Sequence, residues 1–188
     1  MKSYAKSWIV KSILIVVLVV LDLLSKYLLQ QYFENGGEPI VVINNFFNLE
    51  YVQNTGVAFG MFKNSVVASL VFPIIFLLAF VAYDILCKTN KKTYIVAFSL
   101  IIAGAIGNLY DRIILKFVRD FFAVKIFPFV FNFADACVSI GFVMLVVVFI
   151  LDIIKSDKQK KNNVKIKNEN KTVESNDNSE LNDQNDEK

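Results

Sequence analysis

Not one of the 188 residues is histidine, and only two, Cys87 and Cys137, are cysteine. The first absence removes the usual general base near neutral pH, every Ser-His or Cys-His nucleophile pair, and the commonest metal ligand. Two thiols cannot form a metal cage, and the spans drawn below put them near opposite faces of a bilayer, so both read as packing residues. An excess of one charge is missing too. Lys and Arg number 20 against 17 Asp and Glu, a net +3 that gives no reason to expect nucleic acid as a partner. No metal and no other cofactor is expected.

Apolar residues are abundant instead. The chain is 55% hydrophobic with a mean hydropathy of +0.51, unevenly distributed, as in a polytopic α-helical membrane protein. Lys2, Lys6 and Lys11 precede an apolar run that ends in no small-residue cleavage site, so Ser7 to about Gln30 is expected to be an uncleaved first spanning helix. Asp22 and Lys26 lie one turn apart near its far end and can pair at i, i+4, with an ion pair snorkelling to the interface as the plainest reading. Asn35-Gly36-Gly37 is turn chemistry, and Ile40 to Gln53, rich in β-branched and aromatic residues, suits short strands. Further spans are expected over Val66–Leu86 (with Pro73 inside), Tyr94–Leu109 and Phe133–Ile154. Asp84, at the end of the second, reads as a solvated interfacial charge. Ile113–Phe131, studded with Phe117, Phe121, Phe122, Phe127, Phe129 and Phe131, is expected to lie in the interface as an anchor.

Beyond Ile154 the composition turns to Asn, Lys, Asp and Glu. Residues 1–155 therefore read as a four-helix membrane domain and 156–188 as a disordered polar tail. The basic N-terminus, the Lys88–Lys92 loop and Lys155–Lys161 fall on one side, which the positive-inside rule makes cytoplasmic for both termini. Asp22, Asn54, Asn108, Asp111, Arg112, Asp120, Asn132 and Asp135 then converge near the outer leaflet.

Ionisable residues gathered at membrane depth mark a functional site. Asn108, Asp111 and Arg112 share one helix face by their i, i+3, i+4 spacing, Asn132 and Asp135 share another, and Asp120 lies between. Without histidine, the chemistry this cluster supports best is a carboxylate pair sharing one proton: one member activates water, and the other polarises a carbonyl. Three alternatives stay open. Asp120 could pair with Arg119 or Lys116, Asp111 could pair with Arg112 or a loop, and the whole could be a small proton- or ion-coupled transporter subunit. Against the transporter, the acids lie at one depth and the halves show no inverted repeat.

Five ordered blocks carry a resemblance to a known family. Asp22-Leu-Leu-Ser25-Lys26, Asn54-Thr-Gly56-Val-Ala58-Phe59-Gly60, Gly107-Asn108-Leu109-Tyr-Asp111-Arg112, Val118-Arg-Asp120-Phe121 and Phe131-Asn132-Phe-Ala134-Asp135 resemble those of lipoprotein signal peptidase, or signal peptidase II. The resemblance implies an intramembrane aspartic endopeptidase with Asp120 and Asp135 as its catalytic dyad. Asn54, Gly56, Asn108, Asp111, Arg112 and Asn132 would bind substrate or position groups, and Asp22 with Lys26 would support the architecture. It further implies a diacylglyceryl-modified prolipoprotein as substrate, cut N-terminal to the lipidated cysteine. The setting would be the bacterial cytoplasmic membrane, with an extracytoplasmic β-platform and an interfacial helical segment over the site. Membrane lipid is the other expected partner, and a monomer suffices because one chain holds every polar group.

Overall fold

The computed structural model describes residues 2–56, 66–87, 91–126 and 129–183, with side chains over 6–56, 70–86, 91–126 and 129–159. Expectations placed on Val57 to Gly60, Lys88, Phe127 and the Cys87 side chain lie outside the described residues. Two compact units are present, Met1–Leu145 and Val146–Lys188, and the candidate site belongs to the first.

In chain order the elements are α1 (Lys2–Glu34), β1 (Ile40–Ile43), β2 (Phe47–Asn54), α2 (Val66–Cys87), α3 (Lys92–Ile114), β3 (Val118–Val124), β4 (Val130–Phe131) and α4 (Phe133–Asp183). Among the described residues, Lys6–Glu34, Lys92–Ile114 and Phe133–Gln159 are long and apolar enough to cross a membrane, while Leu70–Leu86 is a shorter apolar stretch. Over its most apolar window α3 is 56% buried, against 17% for α1 and 11% for α4, so α3 is the central helix. The burial pattern is inverted relative to a water-soluble protein. Ile13, Val16, Val20, Phe142 and Val143 are exposed, whereas Lys11, Asp22, Lys26, Asp84, Asp111, Asp120 and Asn132 are buried. A hydrocarbon solvent favours this arrangement, because apolar surface gains nothing by leaving it and polar groups must find partners inside.

Glycines set the spacing of α3 and α4. A Cβ on Gly104 would run into the Ala134 carbonyl oxygen, and one on Gly141 would come within 2.8 Å of the Ala97 carbonyl oxygen. Such close approach is the use of small residues between membrane helices.

The sheet is antiparallel throughout, in the order β1-β2-β3-β4. Asn45, at φ 58°, takes the left-handed position in the turn between β1 and β2, a conformation asparagine tolerates. All four β1 residues are exposed. The expected strands over Ile40–Gln53 are present, but Ile113–Phe131 differs from expectation. It enters the sheet as β3 and β4, and among the described residues no interfacial helix is found. The phenylalanines explain this: Phe121 is buried edge-on to Phe122, which also meets Phe47 of β2 and Phe131 of β4. Aromatic cross-strand pairs stabilise a sheet, so Phe121, Phe122 and Phe131 contribute to its packing.

Asp84 also departs from expectation. It is 1% exposed and accepts two bonds from the Lys11 ammonium of α1, at 2.5 and 2.8 Å. Lys11 lies over the rings of Trp8 and Phe98 as well. A charge at the end of one span found its counterpart in another, which no local pattern announces. At the other end of the chain, the backbone stays helical through Asp183, past the point where the apolar run stops. No glycine or proline follows Gly141 to break it.

Candidate active site

The site is built where α3 ends, β3 passes and α4 begins. The N–H of Leu115 bonds back to the Asp111 carbonyl, and Lys116, at φ 69°, adopts the left-handed conformation that commonly follows a helix. The chain thereby reverses within a few residues, and β3 returns past the last turn of α3.

Asn132 and Asp135 form the start of α4 as a reciprocal cap. The Asp135 N–H donates to Asn132 Oδ1 at 3.0 Å, and the Asn132 N–H donates to Asp135 Oδ2 at 3.1 Å. This satisfies orphan N–H groups and sets Asp135 in the first helical turn, where the helix dipole favours a negative charge. Asp22 serves the same helix end, accepting the Ala134 N–H at 2.9 Å while its other oxygen takes the Lys26 ammonium at 2.8 Å. Gly107 leaves room for this carboxylate, since a Cβ there would collide with Asp22 Oδ2. The expected Asp22–Lys26 pair is therefore present, but it is buried and does not snorkel.

Three amides surround the two central carboxyls. Asn54 donates to Asp120 Oδ2 at 2.9 Å, Asn132 Nδ2 to Asp120 Oδ1 at 2.6 Å, and Asn108 Nδ2 to Asp135 Oδ1 at 2.7 Å. Each amide is oriented by a group that can only donate: Gly56 N–H to Asn54 Oδ1, Asp135 N–H to Asn132 Oδ1, and the Lys26 ammonium to Asn108 Oδ1 at 3.0 Å. All three NH2 groups therefore face carboxylates for a physical reason. Asn132 Nδ2 also donates to Asn108 Oδ1 at 3.0 Å, closing the network. A β-bulge between Leu49 and Val52 of β2 lies opposite the segment that carries Asp120, a common device for aiming one side chain.

Asp120 is 1% exposed, and its pKa is pushed up to about 6. Burial is the main cause. The Asp135 charge adds to it, against hydrogen bonds from Asn54 and Asn132 and the positive charge of Lys26. A carboxyl raised in this way beside a second one is an arrangement that can support general acid–base chemistry.

The open alternatives for the neighbouring charges resolve as follows. Arg119 does not pair with Asp120; it pairs with Asp111, Nη2 to Oδ1 at 2.6 Å. Asp111 consequently does not pair with Arg112. Arg112 donates to the Asn108 carbonyl at 3.3 Å, and its buried Nε has no hydrogen-bond partner among the described residues. Sequence reasoning placed Asn54, Gly56, Asn108, Asp120, Asn132 and Asp135 in one site, and all are found together. It missed Arg119 and Gln30, and the missing signal was three-dimensional: an arginine beside an aspartate in a strand points to the opposite face. Among the described residues, no group of three or more Cys, Asp or Glu side chains is arranged to hold a metal ion.

The profile of a family described as signal peptidase (SPase) II matches residues 14–151, which include every residue of this network. A lipoprotein signal peptidase of Fusobacterium nucleatum is 37% identical over 142 residues, covering 71% of this chain and 82% of that protein. One of Clostridioides difficile is 41% identical over 138 residues, covering 71% and 89%. A solved structure described as a bacterial membrane enzyme superposes with a TM-score of 0.68 at 28% identity, over 77% of this chain and 89% of that one. The resemblance carried by the five sequence blocks is borne out: the chain belongs to the signal peptidase II family and is a protease of that type.

Proposed function

We propose that this chain is an aspartic endopeptidase that removes signal peptides from diacylglyceryl-modified prolipoproteins, cutting N-terminal to the lipidated cysteine, with Asp120 and Asp135 as the catalytic dyad. The observation that carries this reading is the pair of hydrogen bonds made by Asn132, whose Nδ2 donates to Asp120 and whose backbone N–H donates to Asp135. One residue thus ties the two carboxyls together at a helix N-terminus.

In the proposed reaction Asp135 takes a proton from water as the oxygen attacks the scissile carbonyl carbon. Protonated Asp120 donates a hydrogen bond to the carbonyl oxygen as it becomes tetrahedral. Collapse breaks the C–N bond, and a dyad proton passes to the departing amine. Asn54, Asn108 and Asn132 position the dyad, and Gly56 holds Asn54. Arg112, whose Nε has no hydrogen-bond partner among the described residues, is a donor for a substrate carbonyl. Asp111, Asp22 and Lys26 act from behind.

The proposed setting is the bacterial cytoplasmic membrane, with α2 as a fourth span, both termini and the tail 156–188 cytoplasmic, and the site near the outer leaflet. A diacylglyceryl group stays in lipid while its peptide bond must meet water, so the dyad belongs near the interface. The protein acts as a monomer and without metal.

The test is cleavage by purified protein of diacylated and unmodified prolipoprotein side by side. Asp120→Asn and Asp135→Asn should each abolish cleavage without unfolding the protein, and EDTA should leave the wild type active. Near-normal cleavage by both variants would sink the dyad assignment.

A further inference from the structure

We infer that Arg119 is a positioning residue for the reaction: by gripping Asp111 of α3 and Gln30 of α1, it fixes the strand peptide that carries Asp120. The inference rests on the dyad proposed above.

Asp111 is fully buried, and both its oxygens are engaged by one residue. Arg119 Nη2 donates to Oδ1 at 2.6 Å, Nε to Oδ2 at 3.2 Å, and the backbone N–H of Arg119 also to Oδ2 at 3.1 Å. The backbone bond makes this more than a side-chain ion pair. The short β4 pairs only with Phe122 and Ala123 of β3, and the N–H of Arg119 goes to a side chain of α3. Asp111 therefore holds the main chain of β3 one residue before Asp120. The remaining arm, Nη1, donates to Gln30 Oε1 of α1 at 3.1 Å.

Asp120 is held from elsewhere, by Asn54 of β2 and by Asn132 at the start of α4. Residues 119 and 120 are thus anchored to different elements, and the peptide between them has little freedom. Arginine suits this position because its planar fork can meet both carboxylate oxygens and still reach a third acceptor, which lysine cannot do. Lys26 lies 3.6 Å from Asp111 Oδ2 and also holds Asn108. Without Arg119, the uncompensated Asp111 would draw Lys26 away from Asn108 and loosen the support of Asp135 as well.

The experiment uses the full chain in detergent micelles with a diacylated prolipoprotein substrate. It measures kcat, KM and the melting temperature for Arg119→Lys, for Asp111→Asn combined with Arg119→Met, and for Asp120→Asn. The double variant removes both buried charges together and so avoids leaving one unpaired. It should melt within a few degrees of wild type, lose about tenfold or more in kcat and keep KM within about twofold, the pattern of an interaction that matters in the transition state. Arg119→Lys, which keeps the charge but not the fork, should retain more kcat than the double variant. Wild-type kcat in either variant, or a loss confined to KM, overturns the inference; should the double variant not fold, Arg119→Lys decides by the same criterion. Full activity in Asp120→Asn removes the dyad reading and this inference with it. An inactive Asp120→Asn beside wild-type kcat in the other variants removes this inference alone.

Discussion

Asn132 and Asp135 cap one another, and the side-chain amide left over from that cap is the donor to Asp120. Local helix chemistry and the proposed catalytic chemistry therefore share one residue. Asn132→Ala should lose about 0.5–2 kcal/mol of stability, the usual cost of an N-cap. It should also lose about a hundredfold in kcat, the scale of removing one preorganised donor. Melting curves and cleavage rates of the same preparation check both.

The raised pKa of Asp120 predicts the pH profile. If its protonated form polarises the carbonyl, activity should fall on the alkaline side with an apparent pKa near 6 in the free enzyme. The groups that set this value are Asp135 on α4, Lys26 on α1, and the amides of Asn54 and Asn132. The pH dependence of kcat/KM reads it, and a profile flat from pH 5 to 8 contradicts it.

The same group makes a statement about stability. Between 3.8 and about 6 the native protein keeps a proton that the unfolded chain has released. Through this group the folded state is therefore progressively destabilised as pH rises across that window, with no further change above it. The melting temperature of wild type should fall relative to Asp120→Asn from pH 4 to 6 and then run parallel to it. The full span is on the order of a few kcal/mol.

Lys11 and Asp84 lie outside the proposed chemistry, so their loss should be felt in folding. Lys11→Met or Asp84→Asn alone should lower stability by about 3–5 kcal/mol, because each leaves a buried charge without its partner. The exchanged pair, Lys11→Asp with Asp84→Lys, should recover part of it. Melting in detergent is the measure, and single variants as stable as wild type would contradict the assignment.

Gly107→Ala should disturb the site through Asp22. The added methyl would displace the carboxylate that receives the Ala134 N–H and the Lys26 ammonium, at a cost of about 1–3 kcal/mol. Cleavage should fall with stability, and an unchanged variant would mean that Asp22 is free to move aside.

Sequence patterns revealed this protein unevenly. The long apolar runs, the strands around Asn48 and the convergence of Asn54, Asn108, Asp120, Asn132 and Asp135 were all legible, because periodicity and ordered motifs carry that information. Partnerships between distant residues were not. Lys11 looked like a topogenic charge and Asp84 like a solvated one, yet they bond across 73 positions of sequence. Arg119 was, with Lys116, an alternative partner for Asp120, but adjacent residues in a strand face apart. The phenylalanines of 113–131 suggested a membrane anchor, and only the pairing of β3 with β2 and β4 brings Phe121, Phe122 and Phe131 together with Phe47.

Strand β1 has a practical consequence. Ile40, Val41, Val42 and Ile43 are all exposed on an edge strand, with Phe46 exposed beside them. An uncovered apolar edge is a template for aggregation. A micelle that coats only the helical belt would leave this hairpin bare, so purification calls for a detergent or nanodisc whose rim also reaches Ile40–Phe46.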